Sequence, residues 1–103
     1  MNNEFGAKLD RNGYAPSVLD HGGECFVCGR TLPLQRHEVF HGANRQKSKA
    51  LGLWVNVCPA CHERIHAGRE GLDGLLKHRA YETALAVYGW RAEDFRARFG
   101  RSY

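Results

Sequence analysis

Four cysteines fall in two pairs of the same spacing, Cys25-x-x-Cys28 and Cys58-x-x-Cys61, about thirty residues apart. Two residues between paired thiolates let a tight turn present both sulfurs to one ion, and two such pairs complete a closed tetrahedral zinc site. A closed site leaves no coordination position for substrate, so its role is structural. Four unrelated buried thiols would not repeat one spacing twice, and a redox dithiol needs only one pair.

The histidines next to this frame suggest a second ion. His62 follows Cys61 directly and His66 lies four residues further on. On a helix, residues at i and i+4 share a face, so both imidazoles can meet a metal distinct from the zinc. His37 lies between the cysteine pairs. A zinc that ties Cys25-Cys28 to Cys58-Cys61 holds the segment of His37 close to that of His62 and His66. Three imidazole ligands with positions left for water and substrate make a catalytic type of metal site. Taken singly, each histidine could equally be a surface or capping residue; the cysteine frame is what groups them.

The elements that must position these groups can be read from pattern. Residues 1–23 carry Gly6, Asn12, Gly13, Pro16, Gly22 and Gly23 without a sustained period, which predicts an irregular arm that docks Phe5, Leu9, Tyr14 and Val18 individually. Residues 24–68 read as a knuckle, a strand through Arg36-His37-Glu38-Val39-Phe40, a polar basic loop or short helical turn from His41 to Gly52, a second strand over Leu53 to Val57, and a helix that starts at Pro59 and runs to about Ala67. Residues 69–103 form a helical extension. Leu72, Leu75, Leu76, Ala80, Thr83, Ala84, Val87 and Tyr88 keep helical spacing up to Gly89, and a last helix spans about Ala92 to Phe99 before Gly100. Glu93 and Asp94 in its first turn and Arg96 and Arg98 near its end suit the helix dipole.

The chain has 103 residues, 43% of them hydrophobic and 25% charged, which suits one small α+β domain with no second independent core. A core of this size gains from a metal staple. No run of about 18 apolar residues occurs, and Met1 to Asp20 holds Glu4, Lys8, Asp10, Arg11 and Asp20 in place of an apolar signal core, so a soluble, unsecreted, cytoplasmic protein without membrane contact is expected. In a reducing compartment, paired cysteines favour metal over disulfides. Fifteen Lys and Arg against eleven Asp and Glu give a formal charge of +4, which suits a polyanionic partner. Arg36, Arg45, Lys47 and Lys49 concentrate that charge around His37.

Cys-x-x-Cys, then His37-Glu38-Val39-Phe40-His41-Gly42-Ala43-Asn44-Arg45, then Gly52-Leu53-Trp54-Val55-x-Val57-Cys58-x-x-Cys61-His62-x-x-x-His66 resembles the HNH endonucleases, most closely the small phage or prophage type. The similarity runs from about Asn12 through Tyr88-Gly89-Trp90 and Asp94-Phe95-Arg96 to the final Gly100-Arg101-Ser102-Tyr103. It implies a ββα-metal (His-Me finger) core, with a zinc knuckle scaffold and C-terminal helices, that cuts DNA phosphodiesters with one divalent ion, whether Mg, Mn, Ni or Zn. It also implies that His37, His62 and His66 hold that ion, and that the residue after His37 acts as general base.

In this chain that residue is Glu38 where the family usually has histidine. A carboxylate can accept a proton from water; it can also orient a metal-bound imidazole. His41, three residues on, is the rival base. The family's asparagine position falls near Leu53, so Asn44 or Asn56 holds the ligand-bearing loop by another route or the role is absent; Asn44, in its Gly-Ala-Asn-Arg turn, is the preferred substitute. Arg45 is expected to face the scissile phosphate, and Arg36, Lys47 and Lys49 to grip the DNA backbone. Trp54 and Trp90 are expected in the core. The resemblance further implies a phage setting, with terminase or portal proteins as neighbours of a monomeric nuclease. The competing function is a noncatalytic zinc-binding DNA module that keeps the cysteine scaffold and the basic loop.

Overall fold

A computed structural model describes all residues from Met1 to Tyr103. Its only named sheet has two antiparallel strands, β1 (Gln35–Glu38) and β2 (Trp54–Val57). Gln35 pairs with Val57 and His37 with Val55. Helix α1 (Arg45–Ala50) fills the connection between the strands and follows a 3₁₀ turn at Gly42–Asn44. Helices α2 (Pro59–His66), α3 (Leu72–Tyr88) and α4 (Ala92–Phe99) complete a small α+β fold. No helix is long and apolar enough to cross a membrane.

Each helix begins and ends where its local chemistry requires. Pro59 occupies the first turn of α2, where its missing N–H is not needed, and the Cys58 sulfur before it accepts from the Cys61 N–H at 3.5 Å. Helix α3 is bounded by Gly71 and Gly89, both left-handed with φ of 65° and 66°, a conformation that carries little penalty only without a Cβ. The Asp94 carboxylate accepts from the Arg91 N–H at 2.8 Å and so starts α4. These spans match the helical expectations for residues 72–88 and 92–99.

One cluster of fifteen buried residues runs from Cys25 on the knuckle, through Val39, Phe40, Val55 and Val57, to Ala80, Phe95 and Phe99 on the last two helices. The C-terminal helices therefore share a core with the strands and the cysteines. Alternation in β2 turns Val55 and Val57 into that core, while Trp54 and Asn56 are half-buried on the other face. Trp54 donates from its indole to the Ala15 carbonyl at 2.8 Å.

The segment between the strands differs from expectation. β1 stops at Glu38, although Val39 and Phe40 are fully buried and Val39 N–H still donates to Leu53 O at 3.1 Å. The ladder breaks because a side chain enters it. Ser48, wholly inaccessible on α1, accepts from Phe40 N–H at 3.1 Å and donates to Leu53 O at 2.6 Å. The basic loop or short helical turn expected here is helix α1, but its positive charge is not all exposed, since Lys49 is buried.

The arm has no regular element beyond an isolated Asn2–Lys8 bridge, yet it is fastened along its length. Asn3 donates to Ala50 O at 2.7 Å, Ala15 N–H to Lys49 O at 3.0 Å and Val18 N–H to Gly52 O at 2.9 Å. Phe5 stacks on Tyr88 at 4.3 Å, and Tyr14 meets Trp54 edge-on at 5.5 Å. At Gly52 the arm passes so close that an added Cβ would lie 2.3 Å from Pro16 O, in a backbone with φ of +71°.

Truncating the buried hydroxyl in Ser48→Ala strands the Phe40 N–H, whereas Leu53 O keeps Val39 N–H, so stability should fall by about 1–3 kcal/mol in urea denaturation. Gly52→Ala should lose more, because steric overlap with the arm adds to backbone strain.

Candidate metal centres

The sulfurs of Cys25, Cys28, Cys58 and Cys61 all lie within 4.8 Å of one another, which would let them hold one structural ion such as zinc. All four thiols are free of disulfides. Each pair is shaped by backbone donors: Cys28 N–H points at Cys25 Sγ (3.4 Å) and Cys61 N–H at Cys58 Sγ (3.5 Å). Across the pairs, Cys28 Sγ is 3.7 Å from Cys58 Sγ. Phe26 N–H donates to Asn56 O at 2.8 Å and lashes the knuckle to β2.

The electrostatics of the four thiols suit a bound cation. Burial opposes ionisation of Cys25, but surrounding backbone N–H donors bring its thiol down to about 6. Donation from Cys61 N–H also lowers Cys58. Cys61 moves the other way, pushed up to about 12 by burial and by the three neighbouring sulfurs. Four thiolates crowded together repel one another, and a divalent ion removes that repulsion.

His37, His62 and His66 form a second cluster, with one ligand nitrogen from each lying within 4.8 Å of the others. His37 comes from β1, where alternation turns it toward α2. His62 and His66 come from one face of α2, with ring centroids 4.6 Å apart. His37 is 2% exposed, and its Nε2 is a buried polar atom without a hydrogen-bond partner. Such an atom is costly to leave unpaired, and a metal ion is one partner that suits it. Gln35 Oε1 sits 2.6 Å from His62 Nδ1, which places the proton on Nδ1 and frees the Nε2 lone pair. Burial first, then the neighbouring imidazoles, holds His37 down to about 4. Burial and His66 also lower His62, so both rings stay neutral, as metal ligation requires.

The triad opens into a cleft of about 340 Å³ that also touches Tyr14, Arg36, Glu38, His41 and Arg45. Glu38 Oε1 accepts from Arg45 Nε at 2.6 Å. Burial favours the protonated acid at Glu38, but hydrogen bonds from Arg45 and Tyr14 outweigh it and lower its pKa. His41 lies on the rim, its ring 6.2 Å from that of His66 and its Nε2 3.7 Å from Asp73 Oδ1. Arg36 is held by Asp10 at 2.9 Å and lies over the rings of Tyr14 and Trp54.

The remaining expected site residues lie elsewhere. Asn44 donates to Phe99 O at 3.2 Å and ties its turn to the end of α4, outside the cleft. Lys47 donates to Arg98 O, and Lys49 is buried under Tyr14. The loop between the strands is clasped by Ser48, which sequence reasoning missed along with Gln35, Tyr14 and Asp73. Gln35 had a usable signal, since it stands two residues before His37 and must share its face of the strand. Tyr14 had none, because its partners are distant in sequence; Ser48 meets Phe40 and Leu53, both nearby in the chain, only once the hairpin has closed. No family model, curated protein or solved structure matches the chain.

Metal analysis of protein purified without chelator is expected to give one tightly held zinc per chain and one ion that exchanges readily, with His62→Ala losing only the second. The ion-free histidine site also predicts a pH dependence of stability. Unfolded His37 takes up a proton near 6.5 and folded His37 only near 4, so its contribution is complete above pH 6.5 and is lost as pH falls through about 4. The loss amounts to about 3 kcal/mol. Urea midpoints for the wild type and His37→Gln, followed over that window, should converge toward low pH.

Proposed function

We propose that the protein is a metal-dependent endonuclease of the HNH type, hydrolysing DNA phosphodiester bonds with β1, β2 and α2 as a ββα-metal core. The observation that carries this reading is the three-imidazole cluster, with the buried, unpartnered Nε2 of His37 at its centre. His37, His62 and His66 would hold one divalent ion, which would supply Lewis acidity to the phosphodiester and to the oxygen that leaves it.

The remaining roles belong to the chain. Gln35 fixes the orientation of His62. Glu38, kept ionised, accepts a proton from the attacking water as its oxygen bonds to phosphorus; the P–O3′ bond then breaks and the departing oxygen takes a proton from solvent. Arg45 lies beside Glu38 at the cleft and offsets charge that builds on the phosphate. His41 on the rim is the other candidate for the base.

One observation favours a different reading. The Arg45 and Tyr14 contacts lower the basicity of Glu38, as expected if its carboxylate only braces a noncatalytic zinc-stabilised DNA-binding module. Supercoiled plasmid incubated with Mg, Mn, Ni or Zn decides between the two. The nuclease should nick or linearise it only with added metal, His62→Ala should lower the rate by at least about 10²-fold, and Glu38→Gln by about 10²–10⁴-fold. Binding without metal-dependent cleavage would leave the binding module. Unchanged turnover in Glu38→Gln would pass the base role to His41 or to solvent.

A further inference from the structure

Beside the histidine cleft lies a second hollow, about 500 Å³ in volume, lined by Asn12, Tyr14, Arg36, Arg45 and Lys49. Tyr14, Arg36 and Arg45 line both spaces, so the two adjoin. We propose that this hollow is an anion subsite for a phosphate of the nucleic-acid backbone other than the scissile one, with the Lys49 ammonium as its floor. The proposal rests on DNA being the ligand of the neighbouring cleft.

The charges in the hollow do not balance. Arg36 is paired with Asp10 at 2.9 Å and Arg45 with Glu38 at 2.6 Å, whereas Lys49 has no carboxylate partner. Lys49 is only 8% exposed, and its ammonium lies 4.7 Å from the centroid of the Tyr14 ring. The stem of Lys49 is buried while its ammonium faces the hollow without a counter-charge, which leaves it free for an incoming phosphate.

The surrounding structure holds the lysine in place. Ala15 N–H donates to Lys49 O at 3.0 Å, and the arm bends closely around the side chain at Gly13, where φ is +88° and a Cβ would lie 3.8 Å from Lys49 Cε. Arg36, gripped by Asp10 and lying over both Tyr14 and Trp54, is likewise fixed in direction. Preformed donors lose less side-chain entropy on binding than free surface lysines. Lys47 provides the contrast: it is exposed, but its ammonium is turned to the Arg98 carbonyl on α4. The buried lysine, not its exposed neighbour, makes the phosphate contact.

The test is fluorescence anisotropy of a labelled DNA duplex titrated with zinc-loaded protein, without added divalent ion, over a range of NaCl concentrations. Loss of one phosphate contact in Lys49→Met should lower the slope of log K against log salt by about 0.9 and raise Kd about five- to tenfold at about 50 mM NaCl. Lys49→Arg should keep the wild-type slope, and so should Lys47→Met. An unchanged slope in Lys49→Met, or failure of the wild type to bind the duplex, overturns the subsite. Should Lys49→Met fail to fold by circular dichroism, Asn12→Asp puts a carboxylate into the same hollow from the exposed arm; it must weaken binding at low salt, and undiminished binding overturns the subsite. A protein that shows the Lys49 effect but never cleaves plasmid keeps the subsite and loses the proposed activity. One that cleaves with an unchanged slope keeps the activity and loses the subsite.

Discussion

The convergence of four sulfurs from two distant stretches of chain is the constraint on which the other contacts depend. Cys25 and Cys28 sit in a turn laced to β2, while Cys58 caps α2 and Cys61 lies in its first turns. Bringing these sulfurs together fixes where α2 starts and how it is rotated against the hairpin. Rotation matters because His62 and His66 are on the same helix as Cys58 and Cys61, and a turn of the helix about its axis would carry them away from His37. The cysteines thus act at a distance on imidazoles they never touch.

The same economy explains why a two-stranded sheet suffices. An isolated hairpin is marginal in water, and here β1 and β2 are covered on one face by a core reaching to Phe95 and Phe99. Phe40 packs against Phe95, Phe99 and Tyr103, so the last residues of the chain brace the segment that leads out of the site. Stability and site geometry share these contacts.

Much of this was legible in the sequence, for reasons particular to each element. Helix α3 could be read between Gly71 and Gly89 because apolar period and left-handed caps are local signals, and α2 could be read from Pro59 for the same reason. Spacing alone grouped the four sulfurs and the His62 and His66 pair. What escaped was decided by how segments close on one another and not by local pattern. The burial of Lys49 depends on an arm more than thirty residues earlier, and a basic run reads as solvated until that arm is placed over it. Ser48 looked like one more polar residue between two lysines, and only the closed hairpin shows its hydroxyl bridging Phe40 and Leu53. Asn44 illustrates the reverse: a plausible residue type at a plausible place, turned by the fold toward the end of α4.

The outer margin of β2 would be an open row of peptide donors and acceptors, available to any other extended chain in solution. In this protein three of the groups on that margin are already engaged without a third strand. Asn56 N–H donates to the Asp20 carboxylate at 2.8 Å, Asn56 O accepts from Phe26 N–H at 2.8 Å, and Trp54 O accepts from the Ser17 hydroxyl at 2.6 Å. Residues with little secondary structure of their own therefore serve as a selvage on the smallest possible sheet, and leave little of this margin as a template for self-association.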